Sequence, residues 1–113
     1  MKIAIIGSKR FRNYSIFTSS IKKIFPVEAI SKLLSGNSIG LDSLVEKFAH
    51  QYNIPHKKHS LEWDAFGGKY TDNERLIEEC DIVIAFYNGN CEITRDSLNQ
   101  AKEKNKKVYI VKI

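Results

Sequence analysis

Asp81-Ile82-Val83-Ile84-Ala85-Phe86-Tyr87 is the stretch on which the fold turns. Ile82 to Phe86 is apolar without alternation and rich in β-branched residues, the pattern of a central strand covered on both faces. Working outward, Lys2 to Ile6 reads as a second buried strand, ended by Gly7. Ala29 to Leu34 follows the same rule before Ser35-Gly36. Val108 to Val111 closes the chain as a strand, and Ile54 to His59 is polar enough for a sheet edge. Between the strands the period changes to that of helices. Ile16, Phe17, Ile21, Ile24 and Phe25 mark a helix over Tyr14 to Phe25, stopped by Pro26. Leu41, Leu44, Val45, Phe48, Ala49 and Tyr52 give the clearest amphipathic helix. Shorter helices are expected from Asn73 to Glu79 and from Thr94 to Lys104. No turn joins two strands directly. The alternation predicts one Rossmann-like α/β/α domain over residues 1–113, with about five parallel strands in the order 3-2-1-4-5.

The 113 residues suffice for one core and not for two ordinary domains. With 42% hydrophobic and 27% charged residues, the composition is that of a globular chain. No apolar run approaches the ~20 residues of a membrane helix, and the run after Lys2 is too short for a secretory signal. Cys80 and Cys91 form no metal or redox spacing and read as reduced thiols, so a cytoplasmic location is expected. The net charge of +5 is uneven: residues 1–60 hold ten basic and three acidic groups, residues 61–113 hold eight and ten. Such asymmetry attracts an anionic partner. Fourteen lysines against four arginines argue against sequence-specific DNA reading, which favours the planar fork of Arg.

In a doubly wound sheet the ligand crevice lies beyond the carboxyl ends of the strands, where the strand order reverses. Three unusual loops fall on that edge. They are Gly7-Ser8-Lys9-Arg10, Ser35-Gly36-Asn37-Ser38-Ile39-Gly40 with Asp42 beyond, and Asn88-Gly89-Asn90-Cys91-Glu92-Ile93-Thr94. Glycines let backbone N–H groups approach a ligand, and helix N-termini favour anions.

Gly7-Ser8-Lys9, Ser35-Gly36 with Gly40 and Asp42, Trp63 with Gly67, Asp72-Asn73-Glu74, Ile84-Ala85-Phe86 with Gly89, and Thr94 occur in this order. Together they resemble the SLOG superfamily, Rossmann-like domains related to the Lonely Guy phosphoribohydrolases and to the DNA-processing protein of natural transformation. The match is to a small stand-alone branch and covers nearly the whole chain. It implies a nucleotide-type ligand: an ADP-ribose or NAD derivative, a nucleoside monophosphate or a cyclic nucleotide. The motifs are degenerate. Lys9, Asn37, Asp72 and Ile93 stand where the branch carries Arg, Gly, Arg and Gly. Ser97 stands where the hydrolases carry their catalytic Glu, so the expectation leans away from an enzyme.

The expected ligand set is Gly7, Ser8, Lys9, Arg10, Ser35, Gly36, Asn37, Asp42, Trp63, Asn73, Asn88, Gly89, Asn90 and Thr94. Ser8 and Lys9 would hold a phosphate; otherwise they form a turn with a solvated Lys. Asp42 would accept from ribose hydroxyls or simply favour its helix dipole. Trp63 would stack on a base or pack as core. Thr94 is expected to cap the helix after the fourth strand and share the anion with Lys9. Phe11 and Tyr14 read as packing residues. His50, His56 and His59 lack a metal spacing and read as surface residues; Glu78, Glu79 and Asp81 read as a solvated acidic patch. No cofactor or metal site is read.

The function expected is a sensor, sponge or regulatory module for a nucleotide-derived ligand. The Lys, Ile and Asn richness fits an AT-rich genome, so a phage counter-defence role is one form of it. The alternative is a nucleotide N-glycosidase or deoxyribosyltransferase using Asp72, Glu74, Glu92 or Asp96. A third is salt-sensitive nucleic-acid binding through the basic first half. Ile16, Phe17 and Phe25 are expected to stay partly exposed in the monomer, and related SLOG domains associate through helices, so a homo-oligomer, a dimer or higher, is expected.

Overall fold

Side chains of a strand point alternately to its two faces, and that alternation sorts the core into two layers. In β1 (Lys2–Gly7), Ile3 and Ile5 belong to one cluster and Ala4 and Ile6 to the other. In β4 (Ile82–Tyr87), Ile82, Ile84 and Phe86 are divided in the same way from Val83 and Ala85. The computed structural model describes residues 1–7, 11–36, 39–58, 74–89 and 92–113. Its remaining elements are α1 (Tyr14–Ile24), a short 3-10 turn (Val27–Ala29), β2 (Lys32–Ser35), α2 (Ile39–Gln51), β3 (His56–Lys58), α3 (Glu74–Glu79), α4 (Glu92–Glu103) and β5 (Lys107–Lys112). The sheet is parallel throughout, in the order β3-β2-β1-β4-β5. This is a Rossmann-like α/β fold with the predicted strand order. No described helix is long and apolar enough to cross a membrane.

The first layer joins Phe17 and Ile21 of α1 and Leu41, Leu44, Val45 and Phe48 of α2 to the odd positions of β1 and the even positions of β4. Its centre is aromatic: Phe86 stacks on Phe17 at 5.1 Å and on Phe11 at 5.2 Å, and Phe48 meets Phe17 edge-on. The second layer joins Leu76 and Ile77 of α3 and Leu98 and Ala101 of α4 to Ala4, Ile6, Val83 and Ala85. Thus α1 and α2 cover one face, while α3 and α4 cover the other.

Local chemistry sets the element ends. The Asn13 carboxamide oxygen accepts the Ile16 N–H and caps α1. Both α2 and α4 stop at an Asn in the left-handed region, Asn53 and Asn105. The next residues, Ile54 and Lys106, donate back to the Ala49 and Ala101 carbonyls, which closes each helix end. Pro26 is extended and opens the 3-10 turn, so β2 begins at Lys32 and not at Ala29. Pro55 has no N–H for the ladder, and β3 is confined to His56–Lys58 at the predicted sheet edge.

Several surface expectations need correction. Of the three residues expected to stay partly exposed, Phe17 is fully buried, whereas Phe25 is half-buried, edge-on against Tyr109, and Ile16 is 46% exposed. Of the acidic residues expected to be solvated, Glu78 and Asp81 are exposed and Glu79 is half-buried, and all three also make pairings. Glu79 accepts from Lys32 and Lys57, and Glu78 from Lys104. Asp81 accepts the Lys2 N–H while its own N–H returns to the Lys2 carbonyl. That exchange ties the start of β1 to the start of β4. On the other edge of the sheet, β5 exposes Ile110, but Lys107 and Lys112 flank the strand and discourage edge-to-edge pairing.

The crossovers define where a ligand fits. The connections from β1 to β2 and from β2 to β3 run over one face, and those from β3 to β4 and from β4 to β5 over the other. The chain therefore leaves the carboxyl ends of neighbouring β1 and β4 toward opposite sides of the sheet, which opens a crevice between them. Gly7 ends β1 at this point, in register with Phe86. Its φ is 152°, and a Cβ there would lie 2.3 Å from the Phe86 carbonyl oxygen. Gly7→Ala is expected to lower stability by about 1–3 kcal/mol or more, through strain and the parting of β1 from β4. A urea midpoint that falls at constant slope would show it; an unchanged midpoint would contradict the close approach.

Candidate functional site

Strand register brings part of the expected ligand set together. Ser35 is the last residue of β2 and lies beside Ile5, two residues before the end of β1, while Gly7 lies beside Phe86. Gly36 is buried directly after Ser35, and exposed Asn88-Gly89 follow β4. The carboxyl ends of β2, β1 and β4 thus form one continuous edge. Gly89 has φ 93° with open space where a Cβ would stand, so it serves the turn conformation and not a tight contact. Ser8, Lys9, Arg10, Asn37, Trp63, Asn73 and Asn90 lie outside the described residues, as do Asp72, Cys91 and His59.

Thr94 differs from its expected role. α4 begins at Glu92, so Thr94 is the third residue of the helix and cannot be its N-cap. It is buried, as is Ser97 one turn later. Both therefore face the protein, and Ser97 is more than an exposed substitute for a missing Glu.

Asp42 lies in the first turn of α2 and is buried. One carboxylate oxygen, Oδ1, takes the Ser35 hydroxyl. The other, Oδ2, is 2.8 Å from Lys58 Nζ. Ser35 is 1% exposed, and its Oγ lies 2.7 Å from His56 Nε2. His56 is therefore not the surface residue expected; it is half-buried at the start of β3, whereas His50 is exposed as anticipated. Four side chains from β2, α2 and β3 form one polar cluster at the carboxyl edge.

Donor counting fixes the protons. A carboxylate only accepts, so the single Ser35 O–H donates to Asp42. Ser35 Oγ must then accept, which makes His56 Nε2 an N–H donor. The chain runs from His56 N–H to Ser35 and from Ser35 O–H to Asp42. That direction is opposite to the one a serine nucleophile needs, where His accepts the hydroxyl proton. With Oγ also buried, Ser35 is a bridge and not a nucleophile. The Ser35–Asp42 bond, with its charged acceptor, contributes about 1.5–3 kcal/mol, and removing a partner leaves a buried polar group unsatisfied.

Sequence reasoning missed His56 and Lys58, although a signal was present. Ser35 shares the parity of Leu33, which faces the α2 layer. Asp42 adjoins Leu41 on the buried side of α2. Two polar groups placed in an apolar layer require each other and at least one further partner. In the β2–β3 register Leu33 lies beside His56 and Ser35 beside Lys58, so the edge strand supplies those partners.

The thiol chemistry is quiet. Cys80 is buried, its Sγ donates to the Ile77 carbonyl at 3.3 Å, and burial pushes its pKa up, away from the reactive thiolate.

The fold and this edge define a Rossmann-like α/β domain with a crevice at the β1–β4 boundary. Comparison with known family models, with curated proteins and with solved structures found no match.

Burial lowers the pKa of His56 below its ordinary 6.5, against the opposing pull of Asp42 and Glu46 and with a smaller push from Lys58. The unfolded chain then binds more protons than the folded one between the folded value and 6.5, so stability rises with pH in that window. The contribution is complete above 6.5 and is lost as pH falls toward the folded value. Urea unfolding across about pH 7.5 to 5 should show a steeper loss in the parent than in His56→Gln, which cannot titrate there. Equal slopes would place His56 in a solvent-like setting.

Proposed function

We propose that the chain binds a nucleotide-derived small ligand in the crevice between β1 and β4. The ligand is of the ADP-ribose or NAD type, a cyclic nucleotide or a nucleoside monophosphate. The protein acts as a sensor, sponge or regulatory module and not as a hydrolase. The observation that carries this reading is the topological switch itself, with Gly7 held against the Phe86 carbonyl at its floor. Parallel sheets of this kind take ligands at that place. The resemblance of the edge motifs to SLOG domains narrows the ligand to nucleotides.

Ser8-Lys9-Arg10 follows Gly7 in the sequence, and its charges are suited to neutralise phosphate. The turn at Asn88-Gly89 and the start of α4 follow β4. The helix N-terminus there adds partial positive charge toward the same space. Thr94 supports the helix from within, and Ser97 in place of a carboxylate removes the acid that hydrolysis of a glycosidic bond requires.

Thermal shift and calorimetry with ADP-ribose, NAD, AMP and a cyclic dinucleotide test the reading. A ligand in hundredfold excess over its Kd should stabilise the fold by about 2.7 kcal/mol. Lys9→Ala should then weaken binding by about 1.5–3 kcal/mol while leaving the unfolding midpoint in place. Thr94→Ala should lower both affinity and stability, because that side chain is buried. No shift with any of the four, or undiminished affinity in Lys9→Ala, would overturn the proposal.

A further inference from the structure

We propose that His56 is a positioning residue for the β2–α2 corner: its Nε2–H, passed through Ser35 to Asp42, holds the end of β2 and the first turn of α2 in fixed relation. The consequence for ligand affinity rests on the crevice reading above; the consequence for the corner does not.

Ser35 and Asp42 are seven residues apart, and their side-chain bond ties the end of β2 to the first turn of α2. The direction of that tie depends on the Ser35 rotamer. Asp42 alone does not determine it, since a hydroxyl can turn about Cβ and still reach a carboxylate. The 2.7 Å contact from His56 fills the acceptor side of Oγ and leaves one orientation. It also strengthens the bond beyond it, because a hydroxyl that accepts becomes a better donor. Lys58, on the same strand and face as His56, holds the second carboxylate oxygen. β3 thus grips the β2–α2 corner through two side chains, His56 on Ser35 and Lys58 on Asp42, two residues apart, the spacing that puts both on one face of a strand.

The charges facing His56 among the described residues are Asp42 and Glu46 from α2 and Lys58 from β3. Neutral His56 meets the donor requirement of the chain without adding charge. Protonation takes place at Nδ1 and leaves the Nε2–H donor in place, so the chain through Ser35 to Asp42 persists when His56 is charged.

Two variants separate positioning from bulk packing. His56→Gln keeps an N–H donor near Oγ and cannot titrate; His56→Leu keeps volume and removes the donor. In the ligand-free protein, nitrogen NMR of the imidazole should show the Nε2–H tautomer. Amide exchange at Ser43, Leu44 and Val45 should be about tenfold faster in His56→Leu, a local loss of about 1.4 kcal/mol, and near parental in His56→Gln. An Nδ1–H tautomer, or parental exchange in His56→Leu, would overturn the proposal.

ADP-ribose is the binding probe, because its pyrophosphate lacks the monoester proton that leaves near pH 6. Its affinity should fall about 2- to 30-fold in His56→Leu and recover in His56→Gln, the scale on which remote positioning residues act. Exchange and tautomer as expected, with no ADP-ribose binding by the parent, would refute ADP-ribose as ligand and leave the positioning role supported. Binding by the parent that is indifferent to both variants would refute the coupling of corner to crevice.

Discussion

The pairing of β1 with β4 is the constraint on which the rest of the structure depends. These strands are the only ones in the sheet joined across a reversal of winding direction, and each carries apolar side chains on both faces. Their separation would expose both layers at once. Two contacts secure the pair at opposite ends. At the start, Lys2 and Asp81 exchange hydrogen bonds through backbone and carboxylate. At the end, the Gly7 backbone lies so close to the Phe86 carbonyl that no side chain fits between. Sheet stability and the geometry of the switch point are therefore linked, because Gly7 ends β1 against the Phe86 backbone at that place.

The two helical layers differ in character. The α1–α2 layer is aromatic, with Phe11, Phe17, Phe48 and Phe86 in mutual contact. Its outer surface carries lysines over rings, Lys22 above Tyr52 and Lys47 above Tyr14. The α3–α4 layer is packed with smaller residues, including Ala4, Ala85 and Ala101, and is clasped at its rim by ion pairs. Exposed pairs of this sort contribute little individually, but Glu79 joins α3 to both β2 and β3.

The polar cluster at the β2–α2–β3 corner is a different solution to the same packing problem. A buried carboxylate in an apolar layer is costly unless every nearby donor is directed at it. Here a hydroxyl, an ammonium and, at one remove, an imidazole serve that end. The result is directional, which an apolar contact in its place would not be.

How far the sequence alone reached depended on the range of the interaction. Ile82 to Phe86, Lys2 to Ile6 and the stripe from Leu41 to Tyr52 announced their elements, because periodicity is local and burial of one face is its direct cause. Strand order followed from alternation and winding rules, and with it the position of the crevice. Boundaries moved where a proline or a helix end intervened, as at Lys32, His56 and Glu92. His56 was legible as a strand residue but not as the partner of Ser35, because the two are 21 positions apart and meet only through the β2–β3 register. Phe17 and Glu79 were misjudged for the same reason: exposure and pairing depend on what the opposite element brings. Sequence determines which residues can be buried; only the tertiary arrangement decides which polar groups are buried together, because a buried hydrogen bond needs a partner whose place is set by the fold of the whole sheet.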